Sequence, residues 1–215
     1  MLRVALPKGR IADETLAIFS RIFGDKFEFE DRKLKMQKGD FEFLMVRNQD
    51  IPTYVTFGAA DIGVVGLDVL EEHHSDVLRL LNLNLGVCNV CIGMREGETL
   101  DYSKPQITVA TKMPNITRTY FSSRATPVKI IKLYGSIELA PLVGLADCIV
   151  DIVETGETMK KNGLRPVEKI MQSSAYLIAN KISFVTKRDE ILSLYDKIAA
   201  VVVKDDNSNL NKVQI

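Results

Sequence analysis

No apolar stretch in this chain of 215 residues approaches the length of a membrane span, and the first ten residues hold no signal-peptide core. The expected setting is therefore the cytoplasm, with no membrane partner. Cysteine is scarce, at three residues. Cys88 and Cys91 form a C-x-x-C inside an apolar run, without a second pair or a nearby histidine, which favours reduced core thiols over a metal or redox site. The two histidines, His73 and His74, follow Glu71 and Glu72 and read as a solvated helix end. An excess of charge of either sign is also missing, because 28 basic and 28 acidic residues cancel. Nothing therefore argues for a nucleic-acid partner, and any anionic ligand must be held by local Lys and Arg clusters. There is no Walker-type loop, no G-x-G-x-x-G, and no Ser/His/Asp constellation in a motif context.

What the chain does contain is an alternation. Strand-like apolar runs are expected at 3–6, 41–46, 62–65, 87–94, 107–111, 128–133, 149–153 and 164–171. Helix patterns lie at 11–23, 52–57, 67–72, 115–123, 137–143 and 187–203. The last of these places Ile191, Leu194, Tyr195 and Ile198 on one face, and residues 204–214 read as a frayed tail. The order implies an α/β architecture with largely parallel sheets. Two stretches echo one another: 51–61 and 138–147 each give a short helix, a Gly suited to its C-terminal end, then Ala-Asp and a strand. The echo suggests two similar α/β lobes with ligand in the cleft between them. The first lobe would comprise 1–90 and 181–215, the second 91–180, with the last helix packed on the first.

Three clusters could carry chemistry. In the segment from Glu138 to Thr158, an apolar run delivers Asp151 and Glu154, and Thr155-Gly156-Glu157-Thr158 then turns toward a short helix. Carboxylates accept from ribose hydroxyls, while hydroxyls and N–H groups at a helix start donate to phosphate oxygens, so the pattern suits a sugar phosphate. An ordinary strand-to-helix connection with capping threonines accounts for the same residues equally well. Lys8, Gly9 and Arg10 follow the first strand, at the sheet edge where such folds bind ligands, although a basic turn without a ligand fits too. Arg47 follows the second long strand, with Asp50 placed to cap the next helix. Arg32 is a weaker candidate, and Arg124 and Lys132 read as surface charges. Together, these clusters favour a cleft that handles polyphosphate.

At these residues the chain resembles the ATP phosphoribosyltransferases. The matching segments are 6–10, 46–55, 58–68, 109–115, 138–158 and 173–180, in consistent order; Met159 and Tyr176 depart from the usual Leu and Arg. The resemblance implies a two-lobed fold like that of periplasmic binding proteins of type II. It also implies transfer of the phosphoribosyl group of phosphoribosyl pyrophosphate to N1 of ATP, the first step of histidine biosynthesis, with Mg2+ carried by the substrates and no direct protein cage. Glu138, Asp151, Glu154, Thr155, Gly156, Glu157 and Thr158 would bind the donor. Arg32 and Arg47 would neutralise the departing pyrophosphate, and Lys8, Gly9 and Arg10 would meet ATP. No C-terminal regulatory domain follows the last helix, so the resemblance is to the short form. That form works as a homodimer of the catalytic chain with a subunit similar to histidyl-tRNA synthetase, in a hetero-octamer. The rival readings are a non-catalytic cytosolic protein that clasps a small anion, and a phosphoribosyltransferase for another base.

Overall fold

The computed structural model describes residues 1–30 and 32–210, the last seven of these as backbone only. They form two compact units. One comprises Met1–Leu70, His74–Gly86 and the chain from Ser174; the other comprises Glu71–His73 and Val87–Ser173. The sequence placed the second crossing near 180. It lies instead between Ser173 and Ser174, because β10 (Leu164–Ser173) passes into β11 (Ala175–Ala179) with no Gly or Pro to mark the change.

In the first unit, β1 (Leu2–Pro7) leads through α1 (Arg10–Phe23) to the hairpin of β2 (Lys35–Lys38) and β3 (Phe41–Val46). A 3-10 turn (Asn48–Asp50) and α2 (Ile51–Thr56) then lead to β4 (Ile62–Gly66), α3 (Leu67–His73) and β5 (Leu78–Asn82). The sheet order is β2-β3-β1-β4-β11-β5. β1 pairs parallel with β3 and β4, whereas β2, β11 and β5 run antiparallel to their neighbours, so the sheet is mixed rather than largely parallel. Side chains alternate across β1: Val4 and Leu6 face a core with α1, and Ala5 faces another with Ile51, Val55 and Leu70. Both faces are buried, as central parallel strands require. Phe19 of α1 meets the rings of Phe41 and Phe43 edge-on, with centroids 5.2 and 5.1 Å apart. The unit closes with α7 (Lys181–Thr186) and α8 (Arg188–Leu210), whose Ile191, Leu194, Ile198 and Val202 join the same core. The frayed tail expected from 204 is helical backbone as far as Leu210; 211–214 lie outside the described residues.

The second unit holds β6 (Cys88–Arg95), β7 (Ile107–Thr111), α4 (Pro114–Ser122), β8 (Val128–Lys132), α5 (Leu139–Leu142), β9 (Cys148–Val153), α6 (Glu157–Lys161) and β10. Its sheet order is β10-β6-β9-β7-β8, with β7 parallel to β8 and β9 and the other two pairs antiparallel. Val109 and Val150 face one core; Ala110 and Ile149 face the other. The first turn of α4 is closed by the buried carboxylate of Glu72, which accepts from the N–H groups of Asn115 (2.9 Å) and Ile116 (3.0 Å). All three cysteines are free thiols, Cys88 and Cys91 on β6 and Cys148 on β9.

The echo noticed in the sequence is a repeated joint. Gly58 and Gly144 both take left-handed backbone, φ +71° and +73°, just past α2 and α5. Three residues on, Asp61 and Asp147 open β4 and β9. The Asp61 N–H donates to the Arg3 carbonyl at 2.9 Å, and its carboxylate accepts from the Arg3 N–H at 2.8 Å. Asp147 does the same with Thr108, at 2.7 Å. Each carboxylate has a lysine, Lys187 for Asp61 (2.8 Å) and Lys104 for Asp147 (2.7 Å). Asp61 also accepts from the Ser183 hydroxyl at 2.7 Å.

Burial alone would raise the Asp61 carboxyl, but the Arg3 N–H, Lys187 and Ser183 together hold it below the ordinary aspartate range. A depressed carboxyl contributes stability that is complete above the unfolded-state value of about 3.9 and is lost as pH falls through the folded-state value. Asp61→Asn is therefore expected to lower the unfolding free energy at neutral pH by about 2–4 kcal/mol. The gap from the parent protein should narrow as pH drops below about 4, as measured by urea unfolding across pH.

Candidate functional site

The C-terminal ends of β7 and β9 sit side by side in register, Thr111 opposite Val150. Thr111 is fully buried; its hydroxyl donates to the Val150 carbonyl at 2.7 Å and accepts from the Met113 N–H at 2.9 Å. The backbone on both sides of Lys112 is thereby tied to β9. Lys112 Nζ lies 2.9 Å from Asp151 Oδ1, the oxygen that also accepts from the Ile152 N–H at 2.8 Å. Beyond Val153 the chain turns through Glu154, Thr155 and Gly156 before α6 begins. Gly156 holds φ +79°, so the turn needs its conformational freedom.

Around this edge is a cavity of about 320 Å³ lined by Lys112, Glu138, Asp151, Glu154, Thr155, Gly156 and Thr158, with Ile152, Val153 and Met159 as its apolar part. Six of the seven donor-site residues expected in the second unit thus line one cavity. Glu157 does not; it is exposed and pairs along α6 with Lys161 at 3.7 Å. Threonine capping of α6 is weak, because Gly156 is the N-cap and makes no side-chain bond. The Thr155 hydroxyl reaches the Glu157 N–H only at 3.4 Å. Lys112 was not singled out from the sequence, where it reads as one more lysine after a strand; its signal is its place beside Asp151 in the strand register.

A larger cavity, about 480 Å³, lies at the other end of the same sheet, near Ile107, Thr108 and Asp147. Its charges already satisfy one another, Lys104 with Asp147 and Arg95 with Glu98 at 3.0 Å. Chemistry belongs to the carboxyl ends of the parallel strands, as in other open α/β sheets.

The first unit carries the expected cations at the matching edge of its own sheet. Lys8 and Gly9, between β1 and α1, and Arg10, the first residue of α1, are exposed, with Gly9 at φ +94° and Arg10 3.6 Å from Glu14. The Lys8 N–H donates to the Val46 carbonyl at 3.2 Å, which brings Lys8 next to the exposed Arg47 at the end of β3. Arg32 is exposed at φ +60°, two residues before Leu34, whose carbonyl accepts from Met45; it belongs to the same edge. Asp50, expected to cap α2, stands at the N-cap but makes no side-chain bond, because its own backbone is helical at φ −91° and ψ −17°. Among the described residues, no cluster of three or more His, Cys, Asp or Glu is placed to hold a metal ion, and no helix is long and apolar enough to cross a membrane.

A sequence profile of the family described as ATP phosphoribosyltransferase matches residues 47–200. An ATP phosphoribosyltransferase from Campylobacter fetus subsp. fetus is 75% identical over 202 residues, covering 94% of this chain and 100% of that protein. Among solved structures, the ATP phosphoribosyl transferase (HisG:HisZ) complex from Thermotoga maritima aligns with a TM-score of 0.82 at 34% identity, over 95% of this chain and 100% of that one. The periplasmic aliphatic sulphonate binding protein SsuA from Escherichia coli aligns with a TM-score of 0.63 at 10% identity, over 98% of this chain and 75% of that one. At that identity the likeness concerns the fold alone. The fold is thus α/β, of the periplasmic-binding-protein-like type II class.

A side chain at Gly156 would meet only the Val153 Cγ1 atom, at 3.8 Å, so substitution there strains the backbone rather than crowding the turn. Gly156→Ala is expected to cost about 1–2 kcal/mol. Gly156→Asn should cost less, since Asn tolerates left-handed backbone. Chemical denaturation of both variants checks the order.

Proposed function

The chain belongs to the ATP phosphoribosyltransferase family, and from that premise we propose that it joins the phosphoribosyl group of phosphoribosyl pyrophosphate to N1 of ATP, opening histidine biosynthesis. The observation that carries the reading is the cavity at the end of β9, where carboxylates, threonine hydroxyls and a left-handed glycine turn meet. Glu154, Thr155, Gly156 and Thr158 surround the 5′-phosphate, whose oxygens accept from hydroxyls and turn N–H groups. Glu157 contributes its backbone to the turn rather than its carboxylate. Asp151 and Glu138 accept from the ribose hydroxyls.

Adenine N1 attacks the anomeric carbon as its bond to the pyrophosphate oxygen breaks, giving phosphoribosyl-ATP and pyrophosphate. The transition state resembles an oxocarbenium ion, so alignment and neutralisation of the leaving group are the main demands. Arg32 and Arg47 meet the pyrophosphate, because a guanidinium fork engages two phosphate oxygens at once. Lys8, Gly9 and Arg10 meet the nucleotide phosphates.

The donor set suits a Mg2+ held mainly by substrate oxygens. Three carboxylates line the cavity, but Asp151 is already paired with Lys112, and no cage of three or more ligating side chains is formed among the described residues. Glu138 and Asp151 would meet the water shell of the ion, which when bound offsets charge on the diphosphate. By analogy with the Thermotoga HisG:HisZ complex, a HisZ-like subunit joins the catalytic chain. The family resemblance further implies that this subunit is similar to histidyl-tRNA synthetase and that the catalytic chain, as a homodimer, enters a hetero-octamer in the cytoplasm.

Incubation of the protein with ATP, phosphoribosyl pyrophosphate and Mg2+ is expected to release pyrophosphate. Binding of both substrates without release would mark a non-catalytic binding protein instead. Arg47→Ala is expected to cost about 3–4 kcal/mol of transition-state stabilisation, read from kcat/KM, with little change in folding stability since the side chain is exposed.

A further inference from the structure

We infer that Lys112 is a positioning residue for this reaction, acting through Asp151; the inference rests on the donor site proposed above. Asp151 keeps only 14% of its side chain exposed, and both of its bonds, to Lys112 Nζ and to the Ile152 N–H, fall on Oδ1. Held through one oxygen, the carboxylate keeps the accepting capacity of Oδ2 for a ligand hydroxyl. The hold is built rather than incidental: the Thr111 hydroxyl links both flanks of Lys112, donating to the Val150 carbonyl of β9 and accepting from the Met113 N–H.

Charge gives a second reason. Among the described residues lining the cavity, Glu138, Asp151 and Glu154 are acidic, and Lys112 is the only cation. The proposed donor is itself strongly anionic. Without Lys112, Asp151 would stand as an unpaired, largely buried charge facing an anionic ligand, with only the Ile152 N–H to orient it. Lys112 thus offsets the charge that would repel the donor while fixing the carboxylate that receives its ribose.

The test compares Lys112→Met, Lys112→Arg, Asp151→Asn and the Lys112→Met/Asp151→Asn double variant by steady-state kinetics, with calorimetric binding of phosphoribosyl pyrophosphate to each. Lys112→Met is expected to raise KM for phosphoribosyl pyrophosphate about tenfold while leaving KM for ATP within about twofold, the scale of coupling between paired residues. Lys112→Arg should recover most of that loss, and the double variant should be no worse than Asp151→Asn alone. Fold-changes that multiply in the double variant, or equal losses for both substrates, would overturn the inference. Impaired donor binding in Asp151→Asn beside wild-type behaviour in Lys112→Met removes the role of Lys112 and leaves the donor site standing. Undiminished donor binding in Asp151→Asn removes both.

Discussion

A carboxylate that grips a backbone N–H near the start of the neighbouring strand is the constraint on which both units depend. Asp61 on Arg3 and Asp147 on Thr108 fix the start of each central parallel pair to one residue. A slip by one position would turn every side chain to the opposite face, so a clamp at the start also sets what happens at the finish. With Asp147 opposite Thr108, Thr111 must meet Val150. Lys112 then falls beside Asp151. The arrangement at the ligand edge is therefore written at the other end of the strands, some four residues earlier, by groups that touch no ligand.

The cavity itself is a compromise between opposing electrostatic needs. A sugar offers hydroxyls, which carboxylates receive well, yet its phosphates repel carboxylates. Threonine hydroxyls and a turn in left-handed backbone supply donors without adding formal charge. One ammonium among three carboxylates leaves the cavity acidic enough for hydroxyls.

Much of this was legible from the residues. The strands 41–46 and 107–111 coincide with β3 and β7, because short, predominantly apolar or β-branched runs between turn residues leave little ambiguity. Gly58 and Gly144 announced their left-handed turns by position. Three strands escaped notice for physical reasons. β2, Lys-Met-Gln-Lys, is a charged edge with little apolar signal; β5, Leu-Arg-Leu-Leu-Asn, lacks β-branched residues; β11 follows β10 after a single serine. The mixed character of the first sheet follows from those same strands, since all three pair antiparallel. In the site, Asp151, Glu154 and the glycine turn could be read because they interrupt an apolar run. Lys112 could not, since its meaning depends on a partner 39 residues away that only the register supplies.

The two halves built on the repeated joint part company in how soon a helix resumes. In the first unit Gly66 closes β4 and α3 starts at Leu67 with nothing between them. In the second, Glu154, Thr155 and Gly156 separate β9 from α6. Hence a lag of three residues before the helix resumes, rather than a distinct scaffold, distinguishes the joint that runs straight into a helix from the one that opens a cavity at its strand end, and grafting such a lag after β4 is a concrete route to a second receptacle on the same framework.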